Sequence, residues 1–223
     1  MIQLELRPQP SATMAYATPI LAVVLTMIFG GLLFALLGKD PLQAIITIFW
    51  EPIFGEHSFY YRPQLLVKGA PLVLIAVGLA VGFKAGIWNI GAEGQFIIGG
   101  LCGGAMGLAF YDVPSLWLLP LMAVAGAAGG FAWAMIPAVL KIKFNANEIL
   151  VSLMLVYVAE LLLSAMVSGP LRDPDGFNFP ESRLFHDSAI LPLLISGTRA
   201  HVGVLVALGA VVIGYVLLQR HMF

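Results

Sequence analysis

Residues 82–100 read GFKAGIWNIGAEGQFIIGG, and they place a polar, glycine-rich break between two uncharged apolar runs. The break carries Lys84, Asn89, Glu93 and Gln95. Charged and amide groups at or near membrane depth cost on the order of a few kcal/mol each unless they are paired or face water. We therefore take this break as the first candidate for function.

The composition around the break is that of a membrane protein. Of the 223 residues, 60% are hydrophobic and 10% are charged, whereas a soluble domain carries about 25% charged residues. The formal net charge is −1, so the chain offers no basic surface for nucleic acid. Cys102 is the only cysteine, which excludes an intrachain disulfide and a metal site built from several cysteines.

Uncharged runs predict six transmembrane helices, and hence an all-α, polytopic membrane bundle that forms a single domain over residues 1–223. The runs are about 18–37, 65–83, 94–111, 116–136, 149–167 and 202–219. Residues 1–16 are predicted to form a polar leader. The second run is the weakest of the six, because Lys68 and Lys84 bracket it closely.

Two connections between the runs are longer than the others. Residues 38–64 contain the amphipathic piece PLQAIITIFW, which predicts an interfacial helix anchored by Trp50, Tyr60 and Tyr61. Residues 168–201 are predicted to form an extracytoplasmic loop. Short loops that carry Lys and Arg stay in the cytoplasm. A cytoplasmic amino terminus satisfies this rule, and it puts four basic residues inside: Lys84, Lys141, Lys143 and Arg220.

Glycines recur at four-residue intervals in the third and fourth runs. Gly99, Gly103 and Gly107 form one series, and Gly126 with Gly130 forms another. This spacing predicts close contact between two helices. Neither GxxxxGK[ST] nor HExxH is present, so the sequence predicts no ATP site of that kind and no metal site in this chain.

The polar break leaves two interpretations open. Gly86, Gly91 and Gly94 allow the chain to leave helical geometry, and such backbone is tolerated at membrane depth where it is buried in protein or lines an aqueous cavity. Transporters use breaks of this kind to meet a polar solute. Alternatively, Asn89 and Glu93 cap the helix that follows.

Residues 137–152, PAVLKIKFNANEILVS, connect the fourth and fifth runs. Pro137 can end a helix, and Asn145 or Asn147 can cap the helix that Glu148 begins. The functional alternative is a surface that a cytoplasmic partner docks on, next to the inside-positive Lys141 and Lys143.

Two further groups of charged residues are candidates for function. Glu160 lies about midway along the fifth run, where an ionisable residue is a functional candidate by default, although it can instead hydrogen-bond a neighbouring helix. Asp173, Asp175 and Gly176 match a calcium loop only in part. Turn formation explains them, and docking of an extracytoplasmic partner is the alternative.

Three stretches together resemble a known family. They are GLAVGFKAGIWNIGAEGQFIIGG (78–100), LKIKFNANEILVSLMLVYVAELLL (140–163) and GPLRDPDGFNFPES (169–182). They resemble the inner-membrane permease subunits of bacterial ABC importers for nucleosides and simple sugars, a group within the branched-chain-amino-acid and ribose permease superfamily. The resemblance covers about residues 15–223.

The resemblance implies a division of labour among subunits. Such a permease pairs with a second, homologous permease subunit in the bacterial cytoplasmic membrane, binds a cytoplasmic ATPase that uses the ATP, and receives solute from an extracytoplasmic binding protein. The family's central motif falls on Asn89, Gly91, Glu93, Gly94 and Gln95, which are candidates for the substrate pathway. Its inner-loop motif falls on Asn147 and Glu148, which, with Lys141 and Lys143, are candidates for coupling to the ATPase.

Two departures from the family pattern stand out. Many relatives have Asn where this chain has Val156, so a polar contact is expected to be missing from that helix. Family members also continue for roughly another hundred residues or more after a segment equivalent to LLQRHMF. We therefore expect the chain to be a fragment that cannot transport alone.

Other classes remain as alternatives. An ion- or proton-coupled secondary transporter would use Glu93 and Glu160 as its titrating groups. An intramembrane enzyme is disfavoured, because no nucleophile, base and orienting group can be assembled from the runs. A passive assembly subunit would form complexes without responding to solute.

Overall fold

The computed structural model of this chain describes residues 11–113, 115–177 and 179–220. Helices alternate with loops throughout these ranges, and the β contact found there is an isolated antiparallel bridge between Leu193 and His201. The prediction of an all-α fold is confirmed. The chain divides into two compact units, residues 1–65 and residues 66–223, which are described separately.

The first unit opens with a long apolar helix. Helix α1, Ala12–Leu36, begins after Ser11, whose hydroxyl oxygen accepts a hydrogen bond from the Met14 N–H at 3.5 Å. The helix ends ahead of Gly38, whose φ of 71° is the left-handed conformation common at helix ends. Residues 1–10 of the predicted polar leader lie outside the described residues, and the end of that leader belongs to α1.

A short helical run follows where the interfacial helix is predicted. It consists of α2, Pro41–Ile45, a π turn over Ile46–Trp50, and α3, Glu51–Phe54. Asp40 starts the run, because its carboxylate accepts hydrogen bonds from the N–H groups of Leu42 and Gln43 at 2.8 and 3.1 Å. The helical part of the prediction is therefore confirmed, and its depth in the membrane stays a prediction.

Helix α4, Ser58–Lys84, is longer than the predicted second run. Tyr60 and Tyr61, predicted to anchor the interfacial helix, lie in the first turn of α4, and their ring centroids are 5.6 Å apart. Lys68 does not interrupt the helix, because a lysine can extend its ammonium group away from apolar surroundings while its methylene stem stays there. The charges that made this run look short are therefore accommodated inside a helix of 27 residues.

The second unit contains the rest of α4 and four further long helices. These are α5, Ala92–Ala109, α6, Leu118–Phe144, α7, Glu148–Ser168, and α8, Gly203–Gln219, and a 3-10 turn lies at Asp187–Ala189. All six predicted runs correspond to helices. In the part of the chain that the structure describes, four helices are long and apolar enough to cross a membrane: α1, α4, α6 and α7. The predicted count of six is not confirmed, since α5 starts with polar residues and α8 has 17 residues.

The core of the second unit is an antiparallel contact between α5 and α6, and the predicted glycine series forms it. A Cβ atom built on Gly99 would lie 3.0 Å from the Gly126 carbonyl oxygen, and the reverse distance is the same. A Cβ on Gly130 would lie 3.1 Å from the Gln95 carbonyl oxygen. The two backbones therefore touch without side chains between them, which confirms the predicted small-residue packing.

Contacts between helix ends show which residues share one end of this unit. Gly91, before α5, lies against Ser152 in the second turn of α7, and a short turn joins α6 to α7. The Lys84 ammonium group donates a hydrogen bond to the Leu218 carbonyl oxygen of α8 at 2.6 Å. Four basic residues were predicted to lie inside the cell. The helix ends that carry them are therefore at one end of the second unit: Lys84, Lys141, Lys143 and Arg220.

Candidate functional site

The predicted break separates α4 from α5 at residues 85–91. Gly86 ends α4 with a φ of 75°, and the N–H of Ile87 reaches back to the Gly82 carbonyl oxygen at 3.0 Å. Glycine adopts this left-handed conformation without strain, whereas other residues rarely do. The chain then runs without helical structure until α5 begins at Ala92. The break predicted from the glycines is therefore present.

Asn89 shapes this break through its own side chain. Its Oδ1 atom accepts a hydrogen bond from the Gly91 N–H at 2.9 Å, and this bond is partly buried. Gly91 is the capping residue of α5 and has no side-chain cap, while Glu93 lies exposed in the first turn of the helix. The capping interpretation is therefore only partly right, since Asn89 holds the turn just before the helix rather than the helix itself.

Gly91 and Gly94 bring the start of α5 against α7. A Cβ on Gly91 would stand 2.6 Å from the Ser152 carbonyl oxygen, closer than real Cβ atoms approach such an atom. A Cβ on Gly94 would stand 3.1 Å from Val156 Cα and 3.2 Å from the indole nitrogen of Trp133. Both glycines are buried. In this arrangement they act as packing residues that hold the break in place.

The turn between α6 and α7 is fixed by two asparagines with different roles. Asn145 ends α6 with a φ of 50°, a left-handed conformation that asparagine tolerates better than most residues. Asn147 caps α7, because its Oδ1 atom accepts hydrogen bonds from the N–H groups of Ile149 and Leu150 at 3.0 and 3.3 Å. Of the two caps that the sequence allowed, Asn147 is the one that starts α7.

An ion pair crosses the same turn. The Lys141 ammonium nitrogen lies 2.7 Å from a Glu148 carboxylate oxygen, with side-chain exposures of 47% and 20%. The pair joins the last turn of α6 to the first residue of α7. Lys143, two residues farther along α6, is exposed and is not part of this pair.

A cavity of about 400 Å³ brings the break and the turn together. Its lining includes residues with polar groups, namely Trp88, Asn89, Gln95, Lys141, Glu148 and Ser152, and apolar residues of the break and of α6 complete it. Two residues of the predicted substrate pathway, Asn89 and Gln95, thus share one cavity with two of the predicted coupling residues, Lys141 and Glu148. Glu93, Lys143, Asn147 and Glu160 do not line it.

The cavity offers neutral hydrogen-bonding groups beside an aromatic face. Gln95 makes no side-chain hydrogen bond to any described residue, so its amide can both donate and accept. Asn89 keeps its amide NH₂ group as a donor, because the hydrogen bond with Gly91 uses its oxygen. Trp88 adds a flat apolar surface that is more than half exposed. Such a wall suits a ring that carries hydroxyl groups.

Comparison with known proteins identifies the family. Residues 61–223 match the model of a family described as branched-chain amino acid transport system, permease component. The chain belongs to this permease family. The prediction that the chain belongs to this permease superfamily is confirmed, and so is the prediction of a multi-pass membrane protein.

Two permeases from other organisms illustrate what this chain is similar to. A glucose ABC transporter permease protein of Haloferax volcanii is 37% identical over 98% of this chain and 59% of its own length. A guanosine ABC transporter permease protein of Bacillus subtilis is 32% identical over 91% of this chain and 57% of its own length. The chain therefore spans less than two thirds of either relative. No solved structure matches it with statistical significance.

Glu160 lies well away from the cavity of this permease. It is exposed on α7, roughly 18 Å beyond Glu148 by the helical rise per residue, and it has no ion-pair partner among the described residues. The structure therefore does not combine Glu160 with the other predicted site residues.

The predicted extracytoplasmic loop of the permease folds back on the opposite end of the second unit. The Arg183 guanidinium lies 3.9 Å from the centre of the Tyr111 ring, and Phe185 packs over Gly104 and Gly107 of α5. His186 is partly buried against Tyr111. Asp173 accepts a hydrogen bond from the Asp175 N–H at 3.1 Å, which supports the turn interpretation of that segment.

Three residues of the site carried no clear signal in the sequence. Ser152 and Trp88 line the cavity, yet a serine inside an apolar run and a tryptophan near an interface are common in membrane proteins. Trp133 has a buried indole N–H with no hydrogen-bond partner among the described residues. Only the packing of α5, α6 and α7 reveals that these residues meet at the break.

Proposed function

We propose that this chain is part of the membrane-spanning permease subunit of an ATP-driven ABC importer for nucleosides or simple sugars, located in the bacterial cytoplasmic membrane. The observation that carries the proposal is the cavity shared by Asn89 and Gln95 with Lys141 and Glu148. A permease must connect a solute path to the place where its ATPase acts. This cavity touches both the polar break and the α6–α7 turn.

The proposed solutes follow from the cavity wall and from the relatives. Nucleosides and sugars present several hydroxyl groups and no obligatory charge. The amides of Asn89 and Gln95 can pair with hydroxyl groups, and the ring of Trp88 can cover the flat face of a base or sugar. The two relatives are named for glucose and for guanosine, which are solutes of this type. Gly91 and Gly94 contribute by holding the break against α7, and Glu93 contributes at the exposed start of α5.

The proposed coupling surface is the α6–α7 turn with its neighbours. Lys143 and Asn147 face away from the cavity lining and are available to a cytoplasmic ATP-binding subunit, which would use the ATP. The shared position of four basic residues at this end supports a cytoplasmic location for it, and hence a cytoplasmic amino terminus. A second homologous permease subunit and an extracytoplasmic solute-binding protein complete the proposed importer.

The proposal is tested with the complete native transporter, purified with its ATPase and binding protein and reconstituted in lipid vesicles. ATP hydrolysis is measured against a panel of nucleosides and monosaccharides, each presented with the binding protein. We expect one solute class to stimulate hydrolysis and to accumulate in an ATP-dependent manner. Accumulation that persists without ATP and collapses with a protonophore would contradict the proposal and would favour a proton-coupled carrier that uses Glu160 and Glu93.

A further inference from the structure

The Lys141–Glu148 ion pair stands at the boundary between the cavity and the α6–α7 turn. Both residues line the cavity, and they flank the turn, Lys141 at the end of α6 and Glu148 at the start of α7. The salt bridge is the only one between side chains in the part of the chain that the structure describes. The ion pair therefore connects the lining of the cavity with the two helix ends that the turn joins.

We propose that this ion pair is a latch that closes the cytoplasmic mouth of the cavity and must open before solute leaves it. The inference rests on the proposed function, because it assigns the release step to the same cavity. It makes Lys141 and Glu148 positioning residues of the gate, whereas Asn89 and Gln95 hold the solute.

The strength of the pair suits a latch. Lys141 is about half exposed and Glu148 about one-fifth exposed. Exposed ion pairs are weak and are easily replaced by water. A contact of this kind opens and closes without a large barrier, and a partner that moves the turn can shift the balance. A deeply buried pair would resist opening, because each charge would lose its counterpart in a medium of low polarity.

The neighbouring structure limits what moves when the latch opens. The start of α7 is packed against Gly91 through Ser152, and Asn147 keeps the first turn of α7 hydrogen-bonded. Pro137 lies inside α6, and a proline cannot donate the backbone hydrogen bond to the preceding turn, which weakens the helix at that point. We therefore assign the movement to the last turns of α6, which carry Lys141 away from Glu148.

The test measures the accessibility of the cavity directly. Ala138 lines the cavity, and Val139, the next residue, is exposed on α6 outside it. In the complete transporter, Cys102 is replaced by alanine and a single cysteine is placed at Ala138→Cys or, as the control, at Val139→Cys. A membrane-impermeant thiol reagent is added to the cytoplasmic side of inside-out vesicles, and the labelling rate is recorded.

We expect Glu148→Gln and Lys141→Gln to raise the labelling rate at position 138 by about two- to fivefold, the range that a weak exposed ion pair permits. The charge-swapped pair, Lys141→Glu with Glu148→Lys, should restore the slow rate. Lys143→Gln removes a charge from the last helical turn of α6 without altering the Lys141–Glu148 ion pair, and it should leave the labelling rate unchanged.

Two results would overturn the latch. One is a labelling rate at position 138 that is the same in Glu148→Gln and Lys141→Gln as without these substitutions. The other is an equal acceleration at position 139, which would indicate general loosening of α6. Solute uptake in right-side-out vesicles of the same preparations separates this inference from the proposed function. Normal uptake together with a labelling rate that does not change in the Lys141 and Glu148 variants would refute the latch and leave the proposed function standing. A labelling rate that does change in these variants, without uptake of any nucleoside or sugar, would refute the proposed function and leave the latch standing.

Discussion

The backbone of Gly91 lies directly against the backbone of Ser152, so that a methyl group on Gly91 would stand 2.6 Å from the Ser152 carbonyl oxygen. This contact joins the polar break to α7. The contact explains why a glycine is needed between Asn89 and Gln95, whether or not this position touches solute. Only the hydrogen atom of a glycine fits in this space, so the position of the break relative to α7 depends on Gly91.

Gly91→Ala is expected to destabilise the bundle by about 1–3 kcal/mol, the usual range for overpacking a tight contact. The free energy of unfolding in detergent measures the effect. Gly100→Ala is the matched control, because Gly100 lies in α5 with no neighbouring atom within 4 Å of its added Cβ. Equal stability of the two variants would show that α7 shifts freely to accept the methyl group.

Trp133→Phe is expected to leave stability unchanged or to raise it by up to about 1–3 kcal/mol, because it removes a buried donor that lacks an acceptor. Thermal unfolding in detergent measures the change. A second substitution, Val156→Asn, places an amide near the same point beside Gly94. We expect Val156→Asn to cost less when Trp133 is present than in the Trp133→Phe background. Equal costs in the two backgrounds would mean that no hydrogen bond forms between the two side chains.

Asn147→Ala is expected to cost about 0.5–2 kcal/mol of stability, because α7 loses the side-chain cap at its first turn. Asn147→Asp retains an acceptor and should restore most of that loss. The same variants distinguish a structural cap from a docking residue when stimulation of the ATPase by solute is measured. Coupling that is lost in Asn147→Asp despite restored stability would assign Asn147 a direct contact with the ATPase.

Gln95→Ala is expected to lower solute uptake by about two- to tenfold, the effect of losing one neutral hydrogen bond to the solute. Glu93→Gln should have a smaller effect, because Glu93 lies outside the cavity. Initial uptake rates at equal amounts of inserted protein measure both. A larger loss for Glu93→Gln than for Gln95→Ala would place the solute at the exposed start of α5 instead.

The sequence was sufficient to predict the features that depend on local chemistry. The run of glycines predicted the α5–α6 contact, because spacing on a helix determines which residues face a neighbour. The break was predicted from the backbone freedom of its glycines, and a cap at Asn145 or Asn147 from the capping preference of asparagine. The length of α4 was not predicted, because Lys68 and Lys84 were taken to bracket the apolar run closely, whereas the helix includes both and extends back to Ser58.

The combination of the two predicted sites in one cavity could not be read from the sequence. Gln95 and Glu148 are far apart along the chain, and their proximity depends on how α5, α6 and α7 pack. The indole N–H of Trp133, which is buried without an acceptor among the described residues, could not be predicted either, because its burial also depends on this packing. Glu160 shows the reverse case, since its charge was conspicuous in the sequence and yet it lies apart from the cavity.

The length of α6 has a consequence for the environment of the latch. Its 27 residues span about 40 Å, whereas the hydrocarbon core of a bilayer is about 30 Å thick. Lys141 and Lys143 lie in its last turn. We therefore expect the part of α6 that exceeds the hydrocarbon thickness to be this end, where the two ammonium groups can reach the lipid headgroups. Hydrophobic mismatch then acts on the ion pair. Longer acyl chains draw the Lys141–Glu148 contact toward hydrocarbon, and lipid chain length becomes a variable to be set deliberately in every measurement of the cavity.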